Sequence, residues 1–295
     1  MAADLNEFLD VNQGVVDKIT KLKVSWAGLF AYYFIPYRRK VVRANMDQVF
    51  GETLSSTQKT HLAKAFYSHF IRSIKETLQL RFMSNEKLRG LVEVRGYERL
   101  LAIHAKKQGV LILTGHFGSW EFAPIGGIAN FKQFKGQFHF IRRTLKIKII
   151  ERILFSSFYR AGLQVIPKQN SLDKVSIALE QNDAVIFVLD QHAIIDNRDG
   201  IPVEFFGKKA GTYRSLATFS RNTEVPVVPA ACYRLENGRH VLEFNEPIPW
   251  QDYGNRSESL YRNTLAYNQA LERIILAHPE QWVWFHKRWK LKDII

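Results

Sequence analysis

Apolar positions in the first third of the chain recur at helical spacing. Leu62, Phe66, Phe70, Ile74 and Leu78 stand four apart, which predicts a helix whose apolar stripe drifts slowly round its axis. Ser55, Ser56 and Thr57 offer N-cap side chains just before it. The whole stretch 38–80 reads as helical, and Asn85 to Gly90 reads as a connection. From about residue 92 the pattern changes to short apolar runs separated by helical segments. Strands are expected at Val92–Arg95, Val110–Thr114, Gln137–Ile141, Gln164–Ile166, Ala184–Leu189, Val225–Ala231 and His240–Phe244. Helices are expected at 96–107, 118–128, 145–160, 170–181, 212–222 and 256–277. Asp190–Pro202 has no apolar period and reads as a loop. This alternation predicts an α/β fold, a central mixed sheet flanked by helices. No repeat or Pro/Gly linker divides it. The expected organisation is a helical N-terminal segment, 1–37, ahead of one domain, 38–295.

The N-terminal segment holds the longest uncharged stretch, Val24–Tyr37, with Trp26, Tyr32, Tyr33 and Tyr37. As a helix it would span roughly 21 Å, short of the ~30 Å hydrocarbon core of a bilayer. The basic residues Arg38, Arg39, Lys40 and Arg43 follow at once. One reading is a membrane-surface anchor with a cationic collar; the other is a core helix followed by a solvated basic face. The start, MAADLNEFLD, lacks the basic n-region of a signal peptide.

Charge widens the question of partners. Lys and Arg total 42 against 28 Asp and Glu, a net charge of +14, while 46% hydrophobic residues exclude a disordered basic tail. Such an excess favours a nucleic acid, an anionic membrane, or an acidic protein or substrate. The cations are spread along the chain without any nucleic-acid-binding signature, so nucleic acid is not an expected partner. The single Cys232 lies in an apolar run and reads as a core thiol, not a nucleophile.

The densest chemistry follows the strand Val110–Thr114: Gly115, His116, Phe117, Gly118, Ser119, Trp120 and Glu121. Sites in open α/β sheets gather beyond the carboxyl ends of strands. A His there suits a general base, and a following Glu suits an orienting carboxylate. Five helical residues turn ~500°, about 140° out of phase, so the pair would meet only with His116 on the turn and Glu121 in the next helix. N–H groups at that helix start would offer an oxyanion site. The alternative is a structural His in a strand–helix turn.

That string resembles the HX4E form of the HX4D/E acyltransferase motif, and more narrowly that of the bacterial late acyltransferases of lipid A biosynthesis. Three further stretches agree in order: Arg38 to Asn45; Leu189-Asp190-Gln191 with Val203 to Thr212; and Trp284 to Lys290. The resemblance implies a glycerol-3-phosphate acyltransferase-like fold and transfer of a fatty acyl chain from a thioester on acyl carrier protein to a hydroxyl of a phosphorylated lipid A precursor. In that reading His116 is the base, Glu121 orients it, and no acyl-enzyme, cofactor or metal takes part. The absence of a G-x-S-x-G elbow agrees. The implied location is the cytoplasmic face of the inner membrane, against an anionic surface. Relatives have a clearer membrane-spanning N-terminal helix than Val24–Tyr37 provides. The motif alone leaves open another lipid acceptor, an acyl-CoA donor, or a lipid-binding scaffold without activity.

The resemblance also marks supporting residues. Arg143 and Arg160 match family arginines that would hold a lipid phosphate or the thioester oxygen, against a plain packing role. Gly118 belongs to the motif turn. Asp190 and Gln191 end a strand on the expected edge, where Asp190 would tune His116 or fix the loop. Asp190, His192, Asp196 and Asp199 do not have the spacing of a calcium loop, so no metal is expected. Phe205, Phe206 and Gly207 either shape an acyl groove or pack a sheet edge. His286, Lys287 and Arg288, among Trp282, Trp284 and Trp289, form an interfacial patch or simple C-terminal packing. The basic clusters Arg38–Arg43, Arg142–Arg143 and Lys287–Lys292 are expected around the mouth holding His116.

Overall fold

A computed structural model describes residues 14–290 apart from 36, 81, 129, 143–155, 157, 160, 170 and 196–198. Seven strands form one mixed sheet in the order β1-β9-β8-β2-β5-β3-β4. They are β1 (Val92–Arg95), β2 (Val110–Thr114), β3 (Phe138–Arg142), β4 (Leu163–Pro167), β5 (Ala184–Val188), β8 (Val227–Arg234) and β9 (His240–Phe244). Each expected strand is present; β1, β2 and β9 have the expected limits, and the ends of the other four shift by up to three residues. The five strands from β8 to β4 run parallel, and β9 turns back antiparallel to β8. Every residue of β8 is buried, as are the first four of β2. Strands covered on both faces need continuous apolar runs rather than alternation, which is why these two stood out in the sequence.

Helices close both faces. They are α1 (Trp26–Phe34), α2 (Arg39–Phe50), α3 (Ser56–Leu80), α4 (Asn85–Leu91), α5 (Tyr97–His104), α6 (Phe122–Ile128), α7 (Ser171–Glu180), α8 (Ser215–Thr223) and α9 (Arg256–Ala277). Helix α6 lies on β1, β8 and β9, α7 on β4 and β5, and α9 on β8. Val15, Ile19 and Ala31 of the N-terminal segment join the same buried core as the sheet. Among the described residues no helix is long and apolar enough to cross a membrane.

Three expectations need correction. Asn85–Leu91 is a helix, not a connection; Ser84 caps it by accepting from the Lys87 N–H at 3.2 Å. Seven residues are too few to display a period, so the cap was its one signal. The second is the expected loop, whose last residues begin an unforeseen hairpin, β6 (Gly200–Phe205) with β7 (Lys208–Tyr213). Pro202 and the lysines at 208 and 209 hid it, and its two turn residues, Phe206 and Gly207, both carry positive φ, 52° and 67°. The third is the helix expected from 118, which starts at Phe122. The helix expected over 145–160 lies mainly outside the described residues.

Helix α3 shows what the drifting stripe does. Ser55 and Gln58 cap it reciprocally, side chain to backbone, at 2.8 and 3.2 Å. A spacing of four advances ~400° per step, about 40° past a full turn. Leu62 and Phe66 are therefore fully buried, Phe70 is partly buried, and Ile74 and Leu78 emerge on the surface.

The inner side of α3 carries a buried ionic cluster instead. Glu76 accepts from Arg234 Nε at 2.9 Å and forms a second, shorter contact with its Nη2. Arg234 also donates to His69 Nδ1 at 2.9 Å and to Ser73 and Ser119 hydroxyls at 3.2 and 3.1 Å. The Ser119 hydroxyl donates to Glu76 at 2.8 Å. The turn after β2 is thereby tied to α3 and β8. Removing one member of a buried pair strands the other charge, so Arg234→Ala should cost about 3–5 kcal/mol in urea unfolding. Replacing both Glu76 and Arg234 with Leu should recover part of that loss.

Candidate active site

Strands β2 and β5 are adjacent and parallel, with Thr114 opposite Val188. Two residues past each end stand His116 and Asp190. The register alone brings a basic ring and a carboxylate together at the carboxyl edge of the sheet. Gly115 lets them close: a Cβ there would lie 3.1 Å from Asp190 Oδ2.

The contacts are specific. His116 Nδ1 lies 2.9 Å from Asp190 Oδ1, and the His116 backbone N–H donates to Oδ2 at 2.7 Å. Trp282 Nε1–H donates to the same Oδ2 at 3.0 Å. Asp190 is completely buried. Burial opposes its charge, but the His116 ring outweighs that and holds the carboxyl well below the usual range. An ionised carboxylate can only accept, so Nδ1 carries the proton and Nε2 presents a lone pair. Gln191 Nε2 approaches that lone pair at a long 3.4 Å, a contact an incoming hydroxyl can displace. Burial works against the His116 cation as well. The charge and hydrogen bond of Asp190 more than offset it, and the ring's pKa is raised from 6.5.

Among the described residues Asp190, rather than the expected Glu121, bonds the His116 ring. Glu121 hydrogen-bonds Thr77, and burial raises its pKa. Its place is the wall of an apolar cavity of about 180 Å³ lined also by Phe70, Ile74, Leu78, Ser119 and Trp120. The drifted end of the α3 stripe makes one side of that cavity. Trp120 reaches back edge-on to His116, ring centroids 5.8 Å apart.

Gly118 is a backbone requirement. Its φ is +61°, and a Cβ would sit 1.6 Å from the Cys232 carbonyl oxygen. Its N–H donates to the Gln281 carbonyl at 2.8 Å, so it is not the open oxyanion donor expected from the turn. Cys232 is a buried thiol, its pKa pushed up to about 12 by burial.

The C-terminal stretch is part of the site. Phe117 bridges Trp282, and the Val283 N–H donates to the His116 carbonyl at 3.0 Å. Asn45 Nδ2 holds the carbonyls of Trp284 and His286 at 2.8 and 2.7 Å, and Arg38 donates to the Phe285 carbonyl at 3.0 Å. His286 faces His116 with ring centroids 4.7 Å apart. Arg288 is fully buried; it donates to the Gln191 carbonyl at 3.2 Å, to Thr212 Oγ1 at 2.7 Å and to the Gly211 carbonyl. Packing, not an interfacial patch, therefore describes Arg288; His286 is partly buried against His116, and Lys287 alone of the three is exposed. The sequence singled out His286 only as part of a patch and gave Trp282 and Asn45 no role beside His116, because their partners are remote in the chain.

Phe205, Phe206 and Gly207 resolve toward packing. Phe205 is buried against Trp282 and Trp289, with Arg288 over its ring at 4.9 Å, and the other two form the hairpin turn. Arg143 and Arg160 lie outside the described residues, as does Asp196. Arg142 ends β3 on the same edge as the site, and Arg38 reaches it through Phe285. Arg39 and Arg43 are spent on α1 and α3, bonding the Tyr32 carbonyl and Ser56 with Thr60. One ligand atom each from His116, Asp190 and His286 lies within 4.8 Å of the others. The Asp190 oxygens already accept three N–H groups, an arrangement suited to orienting a base.

Comparison with known proteins completes the picture. A family model described as bacterial lipid A biosynthesis acyltransferase matches residues 16–291. The chain belongs to that family. The lipid A biosynthesis lauroyltransferase of Escherichia coli (strain K12) is 23% identical over 269 residues, covering 90% of this chain and 83% of that one. The palmitoleoyltransferase of the same organism is 24% identical over 284 residues, with the same coverages. The 1-acyl-sn-glycerophosphate acyltransferase PlsC of Thermotoga maritima aligns over 84% of this chain and 95% of its own, at 16% identity and a TM-score of 0.36. The chain is thus an acyltransferase of the lipid A biosynthesis family.

Which carboxylate orients the base is directly testable. A base at His116 would be active only as the neutral ring, so kcat/KM should then fall as pH drops through a midpoint above 6.5. Asp190→Asn removes the group that raises that pKa and leaves burial to lower it. The acid limb should move to lower pH, and the plateau should fall about 10²–10⁴-fold. Glu121→Gln should leave the midpoint where it is.

Proposed function

We propose that this acyltransferase moves a fatty acyl chain from an acyl carrier protein thioester to a hydroxyl of a lipid A precursor. The observation that carries the reading is the buried Asp190 fixing His116, which leaves its Nε2 lone pair with a long contact to Gln191. His116 Nε2 removes the hydroxyl proton as the oxygen attacks the thioester carbonyl. The Asp190 charge stabilises the imidazolium that forms, and the ring returns the proton to the departing thiolate. The buried Cys232 thiol has no part in this, so transfer is direct. The apolar cavity beside Glu121 suits the first methylenes of the acyl chain, with a carboxyl that burial favours in its protonated form.

The reaction is assigned to the cytoplasmic face of the inner membrane. Trp26 and Phe34 of α1 are 88% and 71% exposed, with Phe30, Tyr33 and Ile35 beside them. Ile74, Leu78 and Phe82, the last 88% exposed, form a second apolar surface at the end of α3 beside the cavity. Exposed aromatics next to basic residues favour an anionic bilayer surface. The net charge of +14 favours both a phosphorylated acceptor and an acidic carrier protein.

Incubation with phospholipid vesicles carrying a lipid A precursor, and with a panel of acyl carrier protein thioesters, tests this by mass spectrometry. One acyl increment on the precursor is expected. An increment on glycerophospholipid alone would overturn the acceptor assignment.

A further inference from the structure

A thioester under attack needs a donor for its oxyanion, and two of the backbone donors nearest His116 are committed. The His116 N–H is held by Asp190, and the Gly118 N–H by the Gln281 carbonyl. Facing His116 is a second imidazole with no assigned task. The ring of His286 lies 4.7 Å from that of His116, tilted 51°. Its Nε2 is buried and has no hydrogen-bond partner among the described residues. Buried ring nitrogens normally find partners, and one left without calls for an explanation, a catalytic role among them. The segment is held rigidly from behind, because Asn45 grips the carbonyls on both sides of Phe285 and Arg38 grips that of Phe285 itself.

We propose that His286 is a second catalytic imidazole, a neutral N–H donor to the oxyanion formed on the thioester carbonyl. The proposal rests on the acyl-transfer reading above. Its bookkeeping is simple. The acceptor O–H proton passes to His116 Nε2 as the C–O bond forms and the carbonyl electron pair moves onto oxygen. The His286 N–H binds that oxyanion and keeps its own proton. Collapse breaks the C–S bond, and the His116 proton goes to the thiolate, giving ester and free thiol. The surroundings suit a neutral donor: burial disfavours the His286 cation, and although Asp190 pulls the other way, His116 and Arg38 add repulsion.

The test compares His286→Ala, His286→Phe and His286→Gln with the unmodified enzyme, in the transfer assay and in thermal melts. Losing an oxyanion donor typically costs about 10²–10³-fold in kcat. Ala and Phe should both show that loss with little change in KM. Gln, which keeps an N–H, should recover at least about tenfold over Phe, and added imidazole should partly rescue Ala. A His286→Phe enzyme within about threefold of the unmodified kcat would overturn the proposal. So would Gln no better than Phe in proteins that melt alike. If the unmodified enzyme acylates no acceptor, the transfer reading itself fails, so the two failures are distinguishable.

Discussion

Everything at the active edge depends on one buried carboxylate. Asp190 has no access to water and keeps its charge only because three N–H groups, two of them from His116, converge on it. Each donor comes from a different constraint. The His116 backbone N–H arrives through the β2–β5 register, the ring through its rotamer, and the Trp282 indole through the C-terminal segment. Withdraw any of them and the remaining contacts must support a buried anion alone. The charge therefore works in two directions: it specifies the His116 tautomer, and it draws the end of the chain into the site.

That second effect explains why four separated stretches behave as one unit. Asn45 holds the backbone around Phe285, Phe117 bridges Trp282, and Arg288 fastens the carbonyl next to Asp190 to the β6–β7 hairpin. Arg288 itself is so thoroughly buried that its pKa falls to about 10. A cation in that position is a costly fastening, repaid by three oxygen acceptors and the face of Phe205.

The sheet was legible in the sequence because buried parallel strands must be continuous apolar runs, and β1, β2 and β9 matched their predicted limits. His116 was legible because it follows such a run. Its partner was legible only in part: Asp190 was expected to tune His116 or fix the loop, while the orienting role went to Glu121. Glu121 is near in sequence, but Asp190, 74 residues away, is near in space. Only the pairing of Thr114 with Val188 decides between them, and register is a non-local property. The hairpin was hidden for a different reason: Pro202, Lys208 and Lys209 break the strand pattern, and its hold on the core comes from Phe205 and Arg288. The drift of the α3 stripe was visible as a number, but its consequence, apolar side chains turned out toward a cavity, required knowing where the sheet lies.

The central claim is the proton on Nδ1 of His116. Nitrogen-15 NMR of the protein with labelled histidines, at a pH above the His116 titration, reads the tautomer directly. The account predicts a protonated Nδ1, bonded to Asp190, and an unprotonated Nε2, with the assignment lost in Asp190→Asn. A His116 protonated at Nε2, or one unaffected by Asp190→Asn, would contradict it.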